Sequence, residues 1–464
     1  MKSLILIRLV FVILISFLTL NINAQNKTFS FPKYEKVLLP NGITLYLLEN
    51  NKVPLITVST LIKAGSVNDG SLSGLAFLTN ESILFGTKSF SKSTIEESFE
   101  QIGSSINVTG ELEFSTIRFT LMKDKLDSVL PILKEVISSA TFPKEEVEKR
   151  KQRLIAELKQ YKERPKSVIG YYFNKFVYGD QPYGNPVLGS SSTIEKISDK
   201  EIKDFYLNFY TPSNTVIAVS GDFKSAEMKS KIISLFSDWT SNSSSVKVEL
   251  KDAEINNSRV LLINKEDANE TMFYIGGRGV PMNHPDYTAI QVVNTILGGR
   301  FTSWLNDELR VNSGLTYGAN SAFRSYSKSG LFIISSFTQT TTTFEAIDLA
   351  LEVIDRLHTK GVDEKTLQSA KNYIKGQFPP RFETNSYLAS FLSEMAVYGY
   401  DENYVNSFEK NVDQLTTDKV KEVISKYFPK NNLQFVLIGK ASELREKATK
   451  YGKVFEKDIK SDGY

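Results

Sequence analysis

Ile197-Ser198-Asp199-Lys200-Glu201-Ile202, followed by Phe205, Phe209-Tyr210, Asn214 and Val216-Ile217-Ala218-Val219-Ser220-Gly221, forms one recognisable unit. The chain answers it 218 positions later with Leu415-Thr416-Thr417-Asp418-Lys419-Val420, Val423, Tyr427-Phe428, Asn432 and Gln434-Phe435-Val436-Leu437-Ile438-Gly439. Each copy reads as an N-capped amphipathic helix, a short turn and a buried strand closing on glycine. Earlier pieces correspond too: Tyr178-Gly179-Asp180 with Tyr398-Gly399-Tyr400, and the helix from Gly74 to Leu84 with Tyr287 to Leu297. Repetition at this period means two homologous halves.

Composition agrees. With 464 residues, 41% apolar and 23% charged, the chain is an ordinary globular sequence of two or more domains. It has no cysteine, which removes disulfides, thiol nucleophiles and zinc ribbons. His284 and His358 are its only histidines, poor material for a self-contained zinc centre. A formal charge of +3 is no footprint of a nucleic-acid binder.

Met1 to Ala24 carries Lys2 and Arg8, the apolar run Leu9 to Leu20, and a small residue at its end, the form of a cleavable secretory signal. As a helix the run covers about 18 Å of a roughly 30 Å hydrocarbon core, so no stable membrane anchor is expected. The expected location is periplasmic or secreted. The division is then 1–24 signal, 25–236 first half, 237–257 linker rich in Ser, Asn and charge, and 258–464 second half.

Within the first half, strands are expected at Lys36 to Leu39, Ile43 to Glu49, Leu55 to Ala64 and Thr116 to Leu121, with Asn41-Gly42 as a turn. Helices are expected at Ser73 to Phe85, Thr94 to Ile102, Leu126 to Ser139 and Lys144 to Lys162. Helices cluster instead of alternating with strands, which points to an α+β fold: a mainly antiparallel sheet with helices on one face.

Leu39-Pro40-Asn41-Gly42-Ile43-Thr44-Leu45, Ala64-Gly65-Ser66, Ser73-Gly74-Leu75-Ala76, Gly86-Thr87, Gly103 to Thr109 and Pro182-Tyr183-Gly184 resemble words of the pitrilysin/insulinase family of zinc metallopeptidases, to which the mitochondrial processing peptidase subunits belong. Leu309-Arg310, Gly314-Leu315-Thr316-Tyr317 and Ala370-Lys371-Asn372 extend the likeness over nearly the whole chain. The resemblance implies two α+β halves forming a clamshell around an extended peptide.

Zinc-binding members carry H-x-x-E-H on the helix after the glycine-serine word, two ligands on one helical face with the Glu activating water. Ungapped counting puts Phe77 and Glu81 at the histidine positions and Asn80 at the glutamate position. Phenyl is no ligand and an amide is no base. Glu157, in Arg153-Leu154-Ile155-Ala156-Glu157, matches the third ligand. Glu81 and Glu157 are either two carboxylates for a hard cation or, as plain structure, a cavity-wall residue and an i,i+4 partner of Arg153. His284 sits in a turn in the other half, and His358 ends a helix where a polar cap is favourable. No cofactor is expected on this chain.

The second half keeps another piece. A helix over Thr302 to Val311, capped at its C-terminus by Gly314, leads into a strand begun by Leu315-Thr316-Tyr317, so Arg310 and Tyr317 point into one space. In active relatives an Arg and a Tyr at this separation donate to substrate carbonyls and the oxyanion. Their plain structural roles are complementing a helix dipole and filling a strand. Asn107 matches a position beside the strand that accepts the substrate backbone, or is a turn Asn. Some family members divide these parts between two chains. The expectation is a non-metal-binding subunit whose partner, a homologous chain with intact H-x-x-E-H, holds the zinc while both grip an extended peptide. The alternative is a catalytically inactive peptide-binding or scaffold protein.

Overall fold

In the computed structural model, which describes residues 29–240, 248–252 and 254–464, the duplication takes the form of two six-stranded sheets that match in the order of five strands and differ in the origin and direction of the outermost one. The signal-peptide reading of 1–24 and the Ser241 to Ser245 run lie outside the described residues. The first sheet contains β1 (Glu35–Leu38), β2 (Thr44–Glu49), β3 (Leu55–Ile62), β4 (Asn107–Gly110), β5 (Ser115–Met122) and β6 (Thr215–Gly221), in the order β1-β2-β6-β3-β5-β4. The second contains β7 (Arg259–Asn264), β8 (Glu270–Arg278), β9 (Ala319–Ser325), β10 (Gly330–Gln339), β11 (Gln434–Gly439) and β12 (Lys453–Asp458), in the order β12-β7-β11-β8-β10-β9. Both are mixed but mainly antiparallel: β2 runs parallel to β6, and β7 parallel to β11 and β12. β4 and β9 are the outer strands beside the hairpin turns.

The helices of the first half are α1 (Leu75–Ser82), α2 (Lys92–Glu100), α3 (Leu126–Ser138), α4 (Lys144–Lys162), α5 (Pro165–Tyr178), α6 (Ser191–Lys196), α7 (Asp199–Phe209) and α8 (Ser225–Phe236). Those of the second are α9 (Tyr287–Leu297), α10 (Trp304–Asn306), α11 (Thr343–Lys360), α12 (Glu364–Gln377), α13 (Asn385–Tyr398), α14 (Asn403–Asn406), α15 (Phe408–Asp413), α16 (Thr417–Tyr427) and α17 (Ala441–Ala448). Ser198 and Thr416 cap the repeated helices α7 and α16 through their side chains, as the duplicated words predict.

Alternation along β6 shows how each sheet is buried. Ile217 and Val219 join the core of the first half's own helices, whereas Val216 and Ala218 belong to the core of the second. The reason is an exchange that one-face packing does not anticipate: α13 of the second half lies over β3 and β6, and α5 of the first lies over β8 and β11. Under α13 the contact mixes Leu388, Phe391 and Leu392 with small polar groups, including Ser59 Oγ to Ser393 Oγ at 3.3 Å and Ser220 Oγ to Asn385 Oδ1 at 3.2 Å. Under α5 it is apolar, Ile169, Tyr172 and Phe173 against Ile333, Val436 and Ile438. Each such side chain contributes about 1.5–3 kcal/mol on burial.

Two buried lysines repeat the duplication. Lys151 Nζ donates to Ile197 O (2.7 Å) and Glu195 O (3.3 Å), and Lys371 Nζ to Leu415 O (2.6 Å) and Asp413 O (3.2 Å). Each satisfies carbonyls exposed where one helix ends and the next begins.

The tips of hairpins β4–β5 and β9–β10 meet at Glu113. Its carboxylate accepts from Tyr183 Oη (2.8 Å), Ser327 N (2.9 Å) and Ser327 Oγ, and it is 8% exposed. Truncation leaves the buried Tyr183 hydroxyl and two half-buried Ser327 donors without that acceptor. Glu113→Ala is expected to lower unfolding free energy by about 2 kcal/mol, read as an earlier urea midpoint. Glu97→Ala on the exposed face of α2 serves as the near-neutral control.

Candidate functional site

Helix α1 starts where Gly74, at φ +94°, lets the chain turn against Ile194 and Gly189; a Cβ there would sit 2.6 Å from Ile194 Cδ1. Its open amides are met by Asp69, whose oxygens accept from Gly74 N and Ala76 N, each at 2.7 Å. Burial pushes the Asp69 carboxyl up against these bonds. The local signal for it is the turn triplet Asn68-Asp69-Gly70 just ahead of the helix.

The three degenerate positions face different surroundings. Phe77 packs on Gly110 of β4, and Asn80 is buried with its Oδ1 accepting from Tyr210 Oη at 3.2 Å. Glu81 is gripped by Arg150 of α4, Nε to Oε2 at 2.6 Å and Nη2 to Oε1 at 3.2 Å. The same guanidinium reaches Glu157 through Nη1 at 3.2 Å and lies 5.8 Å from the Phe77 ring centroid. Glu157 therefore pairs with Arg150, not with Arg153 as its i,i+4 spacing suggests. Seven residues make about two helical turns, so Arg150 and Glu157 share one face of α4, with Arg150 beside Glu81. That periodicity was the signal for Arg150.

These donors do not fit zinc. Phe77 offers nothing, both carboxylates are held by a guanidinium that stays charged, and among the described residues no three His, Asp or Glu side chains come together as a ligand set. Burial, foremost, raises the Glu81 carboxyl, with Arg150 opposing it. His284 and His358 lie elsewhere: His284 Nδ1 accepts from Asp286 N at 3.1 Å, and His358 Nε2 bonds Phe428 O at 2.8 Å. Burial lowers both imidazoles.

The expected helix at Thr302 becomes α10 followed by a π-turn over Asp307–Asn312. Ser303 is its cap residue but makes no side-chain capping bond. Leu315 N and Thr316 N both donate back to Leu309 O, at 2.9 and 3.2 Å, closing the turn past Gly314 at φ +67°. The following strand starts at Ala319, not Leu315. Side chains hold the intervening loop instead, Thr338 Oγ1 donating to Leu315 O at 2.6 Å and Ser336 Oγ to Gly318 O at 3.0 Å. Arg310 and Tyr317 then line one cavity of about 690 Å³ with Glu270, Leu315 and Phe337. Arg310 lies over Phe301 at 4.7 Å, and Tyr317, 80% exposed, stacks on Phe337 at 6.4 Å.

That cavity is lined by second-half residues alone. Phe337 is seven residues along β10 from Gly330, about 23 Å of strand from the hairpin junction beside which Phe77 packs on Gly110. Arg310 thus does not face Phe77, and the structure does not bring the pair together with Asn80, Glu81 or Glu157. Asn107 opens β4, is exposed, and lines a separate cavity of about 550 Å³; its Nδ2 donates to Ser105 Oγ at 3.1 Å. It is both an edge-strand residue and locally tied like a turn residue.

Models of the Peptidase M16 inactive domain and of insulinase (peptidase family M16) match residues 196–374 and 45–191. The chain belongs to the M16 family. A Bacillus subtilis relative described as an uncharacterized zinc protease is 24% identical over 75% of this chain and 84% of its own length. A Helicobacter pylori relative described as a non-peptidase homolog is 22% identical over 84% of this chain and 90% of that one. Among solved structures, a peptidase M16 inactive domain from Pseudomonas fluorescens superposes with TM-score 0.83 at 24% identity, covering 88% of this chain and 98% of its own. The fold and family are those expected; the metal word of the family is degenerate in this chain.

Arg150→Met removes both ion pairs and leaves two half-buried carboxylates facing each other. Ionised Glu81 then loses its counter-charge, so the variant's stability deficit is expected to grow as pH rises from about 5 to about 8 and to shrink as Glu81 protonates. Thermal melts at several pH values check this, and metal analysis of either protein is expected to find no stoichiometric zinc.

Proposed function

We propose that this chain is the non-metal-binding subunit of a heterodimeric zinc endopeptidase, acting in the periplasm or outside the cell. Arg310 and Tyr317 would donate to substrate carbonyls and to the developing oxyanion at a zinc centre held by a homologous chain with intact H-x-x-E-H. The observation that carries this reading is the placement of the pair: two donors open to solvent in a cavity of about 690 Å³ that no first-half residue lines. Among the described residues the Tyr317 phenol has no hydrogen-bond partner and Arg310 makes no ion pair, their contacts being the Phe337 and Phe301 rings. Their chemistry suits an oxyanion, because a guanidinium keeps its charge and a phenol keeps its proton in a dry cleft.

The Arg150 clamp supports the same division of labour. Where a metal-binding relative needs two imidazoles and a free carboxylate, this chain has spent both carboxylates on a guanidinium. Catalysis then depends on the partner's metal. The H. pylori relative described as a non-peptidase homolog agrees with inactivity of the isolated chain. The N-terminal apolar segment supports export.

Mixing this protein with a homologous chain carrying H-x-x-E-H is expected to give peptide cleavage that neither shows efficiently alone. In the mixture Arg310→Ala is expected to cost about 10²-fold in kcat/KM and Tyr317→Phe about tenfold or more. Full activity of the partner by itself, or a mixture indifferent to both variants, favours an inactive peptide-binding or scaffold role instead.

A further inference from the structure

Between the two halves, on the sheet faces that α5 and α13 leave partly uncovered, three cavities run into one another. The first, about 550 Å³, follows β4 and β5 past Asn107, Thr109, Thr116 and Arg118. The second, about 380 Å³, shares Thr109, Thr116 and Arg118 with it and adds Glu111, Glu394, Tyr398 and Tyr326 at the hairpin junction. The third, about 400 Å³, shares Glu111, Ser325 and Tyr326 with the second and ends among Lys166, Tyr171, Tyr274 and Arg324. Shared walls make a trough long enough for several residues of extended chain.

The trough is electrically uneven. Its second section brings Glu111, Glu113 and Glu394 together with Arg118, and Glu111 also borders the third. In the third section stand Lys166 and Arg324, neither with an ion pair among the described residues. Among the described residues Arg324 Nη2 donates to Tyr274 Oη, at 3.3 Å, and its guanidinium lies 5.6 Å from that ring centroid. Lys166 belongs to the first turn of the 14-residue helix α5, whose positive end opens on the same space. The helix makes room for Arg324 at Gly170, where an added Cβ would come within 3.0 Å of Nη1. A further polar atom, Asn174 Oδ1, is buried here with no partner among the described residues. Tyr171 closes the wall, held from behind by the Tyr464 ring at 5.0 Å.

Resting on the peptide-gripping reading above, we propose that Lys166 and Arg324 form an anion subsite that anchors a carboxylate of an extended peptide, flanked by Tyr171, Tyr274 and Tyr326. The carboxylate comes either from an acidic side chain or from the peptide's C-terminus. Glu111, Glu113 and Glu394 outnumber Arg118 in the second section, whereas Lys166 and Arg324 outnumber Glu111 in the third, so a carboxylate is held in the third section and there fixes the register of the peptide along β4. Arg324 acts as the bidentate partner and Lys166 as a point charge.

The test measures binding by the full chain alone, by fluorescence anisotropy. The probes are labelled octapeptides of Ala, Ser and Thr with a free C-terminus, the same peptides amidated, and amidated peptides carrying one Glu or one Gln near the end. A carboxylate from one of the two sources is expected to tighten binding about tenfold over its neutral counterpart, and the arm that tightens identifies which. Raising salt from about 0.05 to about 0.5 M is expected to shrink that preference. Lys166→Gln with Arg324→Gln is expected to abolish it while leaving the amidated peptide within about twofold. Gly170→Ala, which favours the helix, is expected to reduce it severalfold by displacing the guanidinium. Equal binding of charged and neutral peptides, or a preference that survives the double variant, overturns the subsite. Cleavage by the mixed subunits remains a separate readout, so failure here with Arg310-dependent cleavage intact leaves the composite-site reading standing.

Discussion

Each sheet of this protein has a second face that its own half does not cover, and the other half supplies the cover. α5 leaves the first half to pack on β8 and β11, and α13 leaves the second to pack on β3 and β6. The exchange is reciprocal because the halves are duplicates, and it fuses them: separating them strips an apolar layer from both sheets at once. Glu113 then fixes the angle at the junction, where a single carboxylate gathers donors from a tyrosine and from the opposite hairpin. Such a buried acceptor is costly to leave unmatched, so the hairpin tips have one arrangement.

That constraint decides what the residues of the candidate site can do. With β10 directed away from the junction, the cavity holding Arg310 and Tyr317 lies far along the second sheet, while Phe77 packs at the tip of the first. One chain cannot close these two regions on each other without dismantling the helix exchange. The trough between the halves is the space the exchange leaves over, which is why its walls come from α5, α13 and both hairpins together.

At the degenerate metal position an ion-pair cluster occupies the space between the helices. A zinc ion would draw α1 and α4 together through imidazole and carboxylate. Here Arg150 does so with two charge-assisted hydrogen bonds to Glu81, while a third, within α4, holds Glu157. Breaking such a half-buried arrangement is worse than never having it, since each carboxylate has already left bulk water. Substituting Phe77 by a ligand would therefore not by itself recover a metal site, because the guanidinium competes for both carboxylates.

Much was legible in the residues. The repeat of Ser198 to Gly221 in Thr416 to Gly439 determined two alike halves, a β-branched apolar run placed the strand from Leu55, expected to reach Ala64 and ending at Ile62, and helical periodicity placed Lys144–Lys162, because these signals are local. The absence of ligands at Phe77 and Asn80 was likewise a matter of residue type alone. Tertiary structure decided the rest. Whether Glu157 meets Arg153 or Arg150 depends on where α1 lies. Whether Leu315 to Tyr317 is strand or loop depends on side-chain bonds from β10. That α5 and α13 serve the opposite sheets depends on contacts across more than a hundred residues, and no local periodicity records which of two equivalent faces a helix will cover.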